Sequence, residues 1–283
     1  MATKKSAPKS AAAPAKKPAA PKATAVEKPA APKAKGTILA ERTGKVITRD
    51  GDEVLKTFEK GKAKVDILNE ALNQARAEAA GLPVAALKEV RKNKDGTWSL
   101  VSEYAEGKTL DQIMKEDKKN FARHMATFIK IHIDVMSHKV TLMNPLLEKL
   151  DRQIAASELP EEQRYELHMQ LAGLPKNICV CHGDFNPTNV IINPKGGYKI
   201  IDWAHVRRGN PLADIARTYL YFWINGMHAA AEKYIVGICE ALNVEKRDVQ
   251  RWLPVVAAAQ STKMTDPKNR DLLLHWASVV DYT

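Results

Sequence analysis

The stretch Cys181-His182-Gly183-Asp184-Phe185-Asn186-Pro187-Thr188-Asn189-Val190-Ile191-Ile192-Asn193-Pro194-Lys195-Gly196-Gly197-Tyr198-Lys199-Ile200-Ile201-Asp202 says more about fold and chemistry than the rest of the chain. Gly183, Asn186 and Pro187 predict a loop that carries Asp184, and Asn189 stands where this loop passes into an apolar strand. Pro194-Lys195-Gly196-Gly197 predicts a hairpin turn, and Asp202 ends the strand that follows. The set is therefore a carboxylate, an amide five residues later, and a second carboxylate thirteen residues beyond that. It suits phosphoryl transfer, which needs one carboxylate to orient an attacking hydroxyl and further ligands to hold magnesium on nucleotide phosphates. Mg²⁺ prefers oxygen donors, so Asn189 and Asp202 make a sensible protein share of its shell. The structural alternative is a His-Gly-Asp turn with an Asn cap nearby. Asp202 at the end of the next strand argues against it.

The chain has 283 residues, enough for one large domain or two small ones, and a formal net charge of +11. That charge is uneven. Residues 1–35 hold nine Lys and one Glu, which leaves only +3 for the remainder, so a nucleic-acid-binding core is not implied. Of those 35 residues, 28 are Ala, Lys or Pro, and the prolines between Pro8 and Pro32 recur too often for a helix. Without aromatic residues the segment buries too little to offset its ordering entropy, so a disordered, partly polyproline-II arm is expected. It reads either as a solubilising spacer or as an arm for nucleic acid or another polyanion.

The arm has no apolar signal-peptide core, and no apolar run in the chain is long enough to span a bilayer. Cys179 and Cys181 next to His182 invite a metal reading, but no second Cys/His cluster completes a zinc site. Buried thiols in a reducing cytoplasm are the expectation, with no membrane partner.

Working outward, Thr37 to Phe58 reads as short strands with turns at Gly44 and Asp50-Gly51-Asp52. Residues 62–80 read as a helix with Val65, Leu68 and Leu72 at helical spacing, ended by Leu82-Pro83-Val84. A hairpin turning at Lys94-Asp95-Gly96 follows, with Trp98 to Tyr104 as its second strand. From Thr109 the pattern is mostly helical, most clearly at Phe121–Ser137, where Met125, Phe128, Ile129, Ile133 and Met136 form one stripe. Residues 141–176 are helical with breaks at Pro160 and Pro175, and helices run from Pro211 to the end. The expected fold class is α+β: an arm at 1–35, a small β-rich lobe with one helix at 36–104, and a larger, mostly helical lobe at 105–283.

A bound triphosphate needs a cation held in place, and Lys56 on the strand Val54–Phe58 is the candidate. Glu70 on the following helix is the carboxylate to pair with it. The link between lobes, Leu100 to Gly107, either supplies the backbone of Glu103 and Ala105 to an adenine edge, with Tyr104 packing, or is an ordinary linker.

Three segments, His182-Gly183-Asp184 through Asn189, Ile201-Asp202-Trp203, and Gly209-Asn210-Pro211-Leu212-Ala213-Asp214, resemble the aminoglycoside phosphotransferase and choline kinase family. The resemblance implies a bilobal protein-kinase-like fold over about residues 37–280, strongest from 178 to 222. It implies Asp184 as catalytic base, Asn189 and Asp202 as magnesium ligands, and Lys56 with Glu70 as the phosphate-binding ion pair. His182 and Asp214 would support the loop structurally. ATP would be the phosphoryl donor, with GTP left open, and a small hydroxyl compound the acceptor.

The sequence also departs from protein kinases. Glu41-Arg42-Thr43-Gly44-Lys45 has one glycine where their phosphate loop has three, and Trp203 replaces Phe in Asp-Phe-Gly. His205 reads as a core or rim residue, and Arg207 and Arg208 as solvated turn charges or anion contacts. The acceptor is expected to meet 141–176 and 223–283. There Glu240, Glu245, Asp248, Asp266 and Asp271 are intermingled with lysines and arginines, which does not favour a tricationic antibiotic over sugars, amino alcohols or other metabolites.

Two other classes remain open: an atypical protein kinase, and a non-catalytic binding module that works through the arm. Deleting residues 1–35 separates enzyme from arm-driven binder. An enzyme keeps its turnover in a phosphate-transfer assay, whereas an arm-driven binder loses its partner in a pull-down.

Overall fold

A computed structural model of the chain describes residues 36–278, so the arm at 1–35 lies outside the described residues. Turn-forming residues cut the start of the described chain into strands β1 (Thr37–Arg42), β2 (Lys45–Asp50) and β3 (Glu53–Phe58). Gly44 and Gly51 occupy the two tight turns at φ +77° and +59°, a region that residues with a Cβ rarely adopt. Helix α1 (Lys64–Ala79) and strands β4 (Leu87–Lys92) and β5 (Trp98–Glu103) complete an antiparallel sheet of order β1-β2-β3-β5-β4.

Helix α1 ends as its sequence dictates. The Gly81 and Leu82 N–H groups donate to the carbonyls of Glu78 and Ala77, a Schellman closure with Gly81 at φ +78° and Pro83 just beyond. The helical spacing of Val65, Leu68 and Leu72 is present, but that stripe faces solvent, with Val65 62% exposed. The buried face carries Ile67, Ala71, Asn73 and Ala77 instead. The reason is the small core that the sheet offers, formed by Phe58, Ile67, Ala71 and Leu100. Ala77 packs into the main core, and the Asn73 amide donates to Ala204 O at 3.0 Å, tying α1 to the turn Trp203–His205.

After β6 (Lys108–Thr109) come α2 (Leu110–Glu116), opened by a Thr109/Gln112 capping box, and α3 (Phe121–Ser137). Then follow α4 (Leu146–Ala155) and α5 (Glu161–Gly173), split by Pro160, and β7 (Cys179–Cys181), β8 (Val190–Ile192), β9 (Tyr198–Ile200) and β10 (Arg207–Gly209). Helices α6 (Pro211–Ile224), α7 (His228–Leu242), α8 (Lys246–Gln250), α9 (Leu253–Ser261) and α10 (Pro267–Ser278) close the described chain. None is long and apolar enough to cross a membrane among the described residues.

The main core forms around α3. Met125, Phe128, Ile129 and Met136 are buried and Ile133 only partly so. Phe128 stacks on Phe185 with ring centroids 4.8 Å apart, which packs α3 against the loop that carries Asp184. Every residue of α9 is buried, as expected of a helix that is apolar on all sides. The lobes are joined near the site by Ile200 N–H donating to Pro83 O at 2.7 Å and by a parallel bridge between Val84 and Ile200.

Phe128→Ala is expected to lower unfolding free energy by about 3–5 kcal/mol, because it empties the centre of this cluster. Leu68→Ser on the solvent face of α1 should stay within about 0.5 kcal/mol of wild type. Urea denaturation of both variants checks the assignment of inner and outer faces.

Candidate active site

Strand β7 runs directly into the loop His182-Gly183-Asp184, whose shape is set from α6. Asn210 caps that helix by accepting Leu212 N–H at 2.9 Å, and Pro211 suits the first helical position. This places Asp214 in the first turn, where its Oδ2 accepts His182 N–H at 2.7 Å and its Oδ1 accepts Gly183 N–H at 2.8 Å. His132 Nε2 lies 3.2 Å from the same Oδ2, and its Nδ1 lies 2.8 Å from the Tyr234 hydroxyl.

Burial by itself would raise the Asp214 pKa. Bonding and charge from His132, followed by His182 and the Gly183 N–H, outweigh it and hold the carboxyl below its ordinary value. Gly183 sits at φ +75°, and a Cβ there would lie 2.7 Å from His205 O, so only glycine fits.

Asp184 emerges from this braced turn beside Asn189. The Asn189 amide donates to Asp184 O at 2.9 Å and to its Oδ2 at 3.2 Å. Arg217 Nε donates to Gly183 O at 2.9 Å, and its Nη2 lies 3.6 Å from Asp184 Oδ1. The His182 ring accepts Asp184 N–H at Nδ1 over 3.3 Å, which leaves Nε2–H to donate to Ile201 O at 3.2 Å. Burial lowers the His182 pKa, consistent with this neutral tautomer. The ring therefore links the loop to the residue before Asp202, which adopts a left-handed φ of +64°.

Across the cleft, the Lys56 ammonium pairs with Glu70 Oε1 and also reaches Asp202 Oδ1 at 3.0 Å. Lys45 Nζ lies 3.3 Å from Asp202 Oδ2. Burial opposes the charged form of Asp202, but Lys56 and then Lys45 outweigh it and hold the carboxyl well below the usual range. Lys56 is correspondingly held above its ordinary value, burial being outweighed by Asp202 and Glu70.

These groups border a cavity of about 390 Å³ that Glu103, Ala105 and Asn189 also line, a volume in the range of ligand sites. The Glu103 N–H is donated to Ala86 O at 2.9 Å, and its carboxylate meets Lys199 Nζ at 3.3 Å. Tyr104 packs its ring 3.7 Å from the Arg49 guanidinium. Among the described residues no group of three or more His, Cys, Asp or Glu is placed to hold a metal ion. An amide oxygen at Asn189 and a carboxylate at Asp202 on one cavity instead suit Mg²⁺ in its usual manner, with phosphate and water completing the shell.

A family model described as "Phosphotransferase enzyme family" matches residues 40–253. The chain belongs to that family. No curated protein sequence matches it. Among solved structures, it is similar to a thermostable mutant of aminoglycoside phosphotransferase APH(4)-Ia in ternary complex with AMP-PNP and hygromycin B. That similarity has 14% identity and a TM-score of 0.60, and covers 87% of this chain and 95% of that one. It is also similar to choline kinase LicA from Streptococcus pneumoniae, with 17% identity, a TM-score of 0.57, and coverage of 84% and 89%. A choline/ethanolamine kinase family protein from Mesorhizobium loti has 18% identity, a TM-score of 0.55, and coverage of 87% and 87%. At these identities the likeness is one of fold, the protein-kinase-like α+β arrangement of a sheet lobe and a helical lobe.

Three residues around this candidate site escaped the sequence reading, and a fourth, Lys45, was read only as part of the one-glycine phosphate loop. Lys45 reaches Asp202 from the first residue of β2, which only the hairpin register Arg42↔Lys45 reveals. His132 falls three to four residues from Phe128, Ile129 and Met136, so a lone histidine within the α3 stripe was the available signal. Arg217 lies one helical turn after Asp214 on α6 and so shares its face. Lys149 borders Gly183 from α4, a placement that no local pattern indicates.

Arg207 and Arg208 are not turn charges. They lie in β10, paired with Cys181 and Val180 of β7, and Arg208 Nε donates to Met143 O at 3.0 Å. His205 is half-buried on the rim of the Gly183 turn, and burial, followed by Lys149 and Lys263, pushes its pKa down to about 2.

Burial, and then the charges of Arg217, Arg207 and Lys263, push Lys149 down to about 7 from 10.5, with only Asp214 opposing. Between those two values the unfolded chain holds a proton that the folded chain has lost, so folding stability rises with pH across this window. Lys149→Gln is expected to make that rise shallower and to be the more stable protein below pH 7. Urea midpoints of both proteins from pH 6 to 10 check the sign.

Proposed function

We propose that this phosphotransferase transfers the γ-phosphoryl group of ATP to a hydroxyl of a small molecule in a magnesium-dependent reaction. The observation that carries the proposal is that Asn189, bonded to Asp184, lines one cavity with Asp202 and the Lys56–Glu70 pair, Lys56 also reaching Asp202. Asp184 orients the acceptor hydroxyl and takes its proton as the oxygen attacks phosphorus. Asn189, donating to the Asp184 carboxylate, fixes the rotamer of that base. Lys56, anchored by Glu70, and Lys45 beside it offset negative charge on the phosphates. The backbone of Glu103 and Ala105 meets the adenine edge where the lobes join. Asn189 and Asp202 would hold Mg²⁺, which when bound with the nucleotide would neutralise charge on the phosphate oxygens.

Asp214 and His182 act by positioning. The complexes of similar proteins with AMP-PNP and hygromycin B, or with ADP and hygromycin B, support a nucleotide and a hydroxyl-bearing acceptor as partners. A cytoplasmic location, where ATP is available, accompanies this reading.

The test is transfer from γ-labelled Mg-ATP into a metabolite extract supplemented with aminoglycosides, choline and sugars. Label is expected on one small molecule. Asp184→Asn should reduce turnover by roughly 10²–10⁴-fold, the usual worth of a positioned general base, while leaving Mg-ATP binding unchanged in calorimetry. Near-wild-type turnover in that variant would refute Asp184 as the base.

A further inference from the structure

A second cavity, of about 50 Å³, opens beside Gly183 between α4, α6 and α9. It is several times larger than the ~10–15 Å³ that one water requires, so it admits a compact head group but not a sugar ring. Lys149, His205, Arg217 and Lys263 border it. Its single acidic neighbour is Asp214, both of whose oxygens are already committed to His182, Gly183 and His132.

Among the described residues, Lys149 has only a carbonyl partner, His205 O at 3.4 Å, and the Lys263 ammonium has no carboxylate partner. Burial first, and then Arg217 and Arg207, hold both lysines below their ordinary values, with Lys263 and Lys62 adding to the effect at Lys149 and Lys263 respectively, and Asp214 and Asp66 opposing it. Gln260 is 8% exposed, and its Oε1 has no hydrogen-bond partner among the described residues. Lys149 is half-buried and Lys263 exposed, so the cavity gathers cations that no carboxylate free of other partners lines, while Gln260 Oε1 is an acceptor open to a donor.

Building on the phosphotransferase reading above, we propose that this cavity receives an oxyanion group of the acceptor, making the substrate an anionic hydroxyl compound. The shared chemistry is a carboxylate or a phosphate ester. Arg217 makes the connection to catalysis, since its guanidinium borders the cavity while standing 3.6 Å from Asp184 Oδ1. An acceptor held there by its anion therefore presents neighbouring hydroxyls to the candidate base, and a planar guanidinium suits an oxyanion.

The same charges repel amino alcohols and polycationic antibiotics, which makes the site selective by exclusion. Glu240, Glu245, Asp248, Asp266 and Asp271 offer no counterweight, because none of them lines the cavity. Glu245 and Asp248 are instead engaged in capping α8.

Sulfate, acetate and tetramethylammonium are the probes, titrated calorimetrically at constant ionic strength into full-length protein whose nucleotide cleft is filled with Mg-AMP-PNP. Saturable binding of sulfate or acetate is expected, at least about tenfold weaker in Lys149→Gln and in the exposed variant Lys263→Gln. Stronger sulfate binding would indicate a phosphate ester, and stronger acetate binding a carboxylate. Absent anion binding, anion binding unaltered in both variants, or preferential binding of tetramethylammonium would overturn the proposal.

In a second arm, a metabolite extract is separated on an anion exchanger before labelling. Asp184-dependent label should arise from the retained fraction. Label on an unretained acceptor would overturn the anion site yet leave the kinase reading standing. Failure of Mg-AMP-PNP to bind would count against the kinase reading, and the sulfate titration without nucleotide would still decide the cavity.

Discussion

The carboxylate of Asp214 determines where the chemistry sits. It accepts two consecutive backbone N–H groups, from His182 and Gly183, and shares one oxygen with His132. A carboxylate buried this deeply is tolerated only with such partners, and removing one side of a comparable arrangement typically costs about 3–5 kcal/mol. The loop turns sharply at Gly183 because both donors must converge on one side chain, and Asp184 is set beside Asn189, which lines the cleft, as a result. His132 joins the brace to the core, since its ring stacks 4.0 Å from Phe185 and bonds Tyr234. The packing of α3, α6 and α7 therefore bears directly on the geometry of the candidate base.

Charge is arranged in opposite ways on the two sides of that loop. In the larger cleft, the proposed nucleotide site, Lys45 and Lys56 face Asp202 and Glu70, so cations and carboxylates are matched within the protein. In the small cavity beside Gly183, Lys149, Arg217 and Lys263 meet with Asp214 as the one acidic lining residue, and Arg217 turns toward Asp184 outside that lining. The first arrangement can exchange its internal partners for a metal and phosphates. The second has more cations than lining carboxylates, and on this contrast rests the proposal of an anionic acceptor.

Much of the architecture was legible because it depends on local rules. Asn210-Pro211 starts α6, Gly81-Leu82-Pro83 ends α1, and the stripe from Met125 to Met136 makes α3, all through capping, φ restriction or helical periodicity. The set Asp184, Asn189 and Asp202 was legible for the same reason, since one loop and one hairpin hold all three within a short span of sequence. Local rules misled where a helix had two apolar faces to choose from. Val65, Leu68 and Leu72 have the period of a core face, but the shallow sheet accepts only the smaller face with Ile67, Ala71 and Ala77.

Sequence by itself determined most of the elements and their order, though not strand β10, and offered the loop candidates and the pairing of Lys56 with Glu70. Only the tertiary structure decided that Lys45 reaches Asp202, that His132 and Asp214 share a proton-bonded contact, and that Lys149, Arg217 and Lys263 gather beside Gly183. The physical reason is range. Caps, turns and periodicity act over a few residues, whereas these meetings join positions 157, 82 and, from Lys149 to Lys263, 114 residues apart through the packing of separate elements.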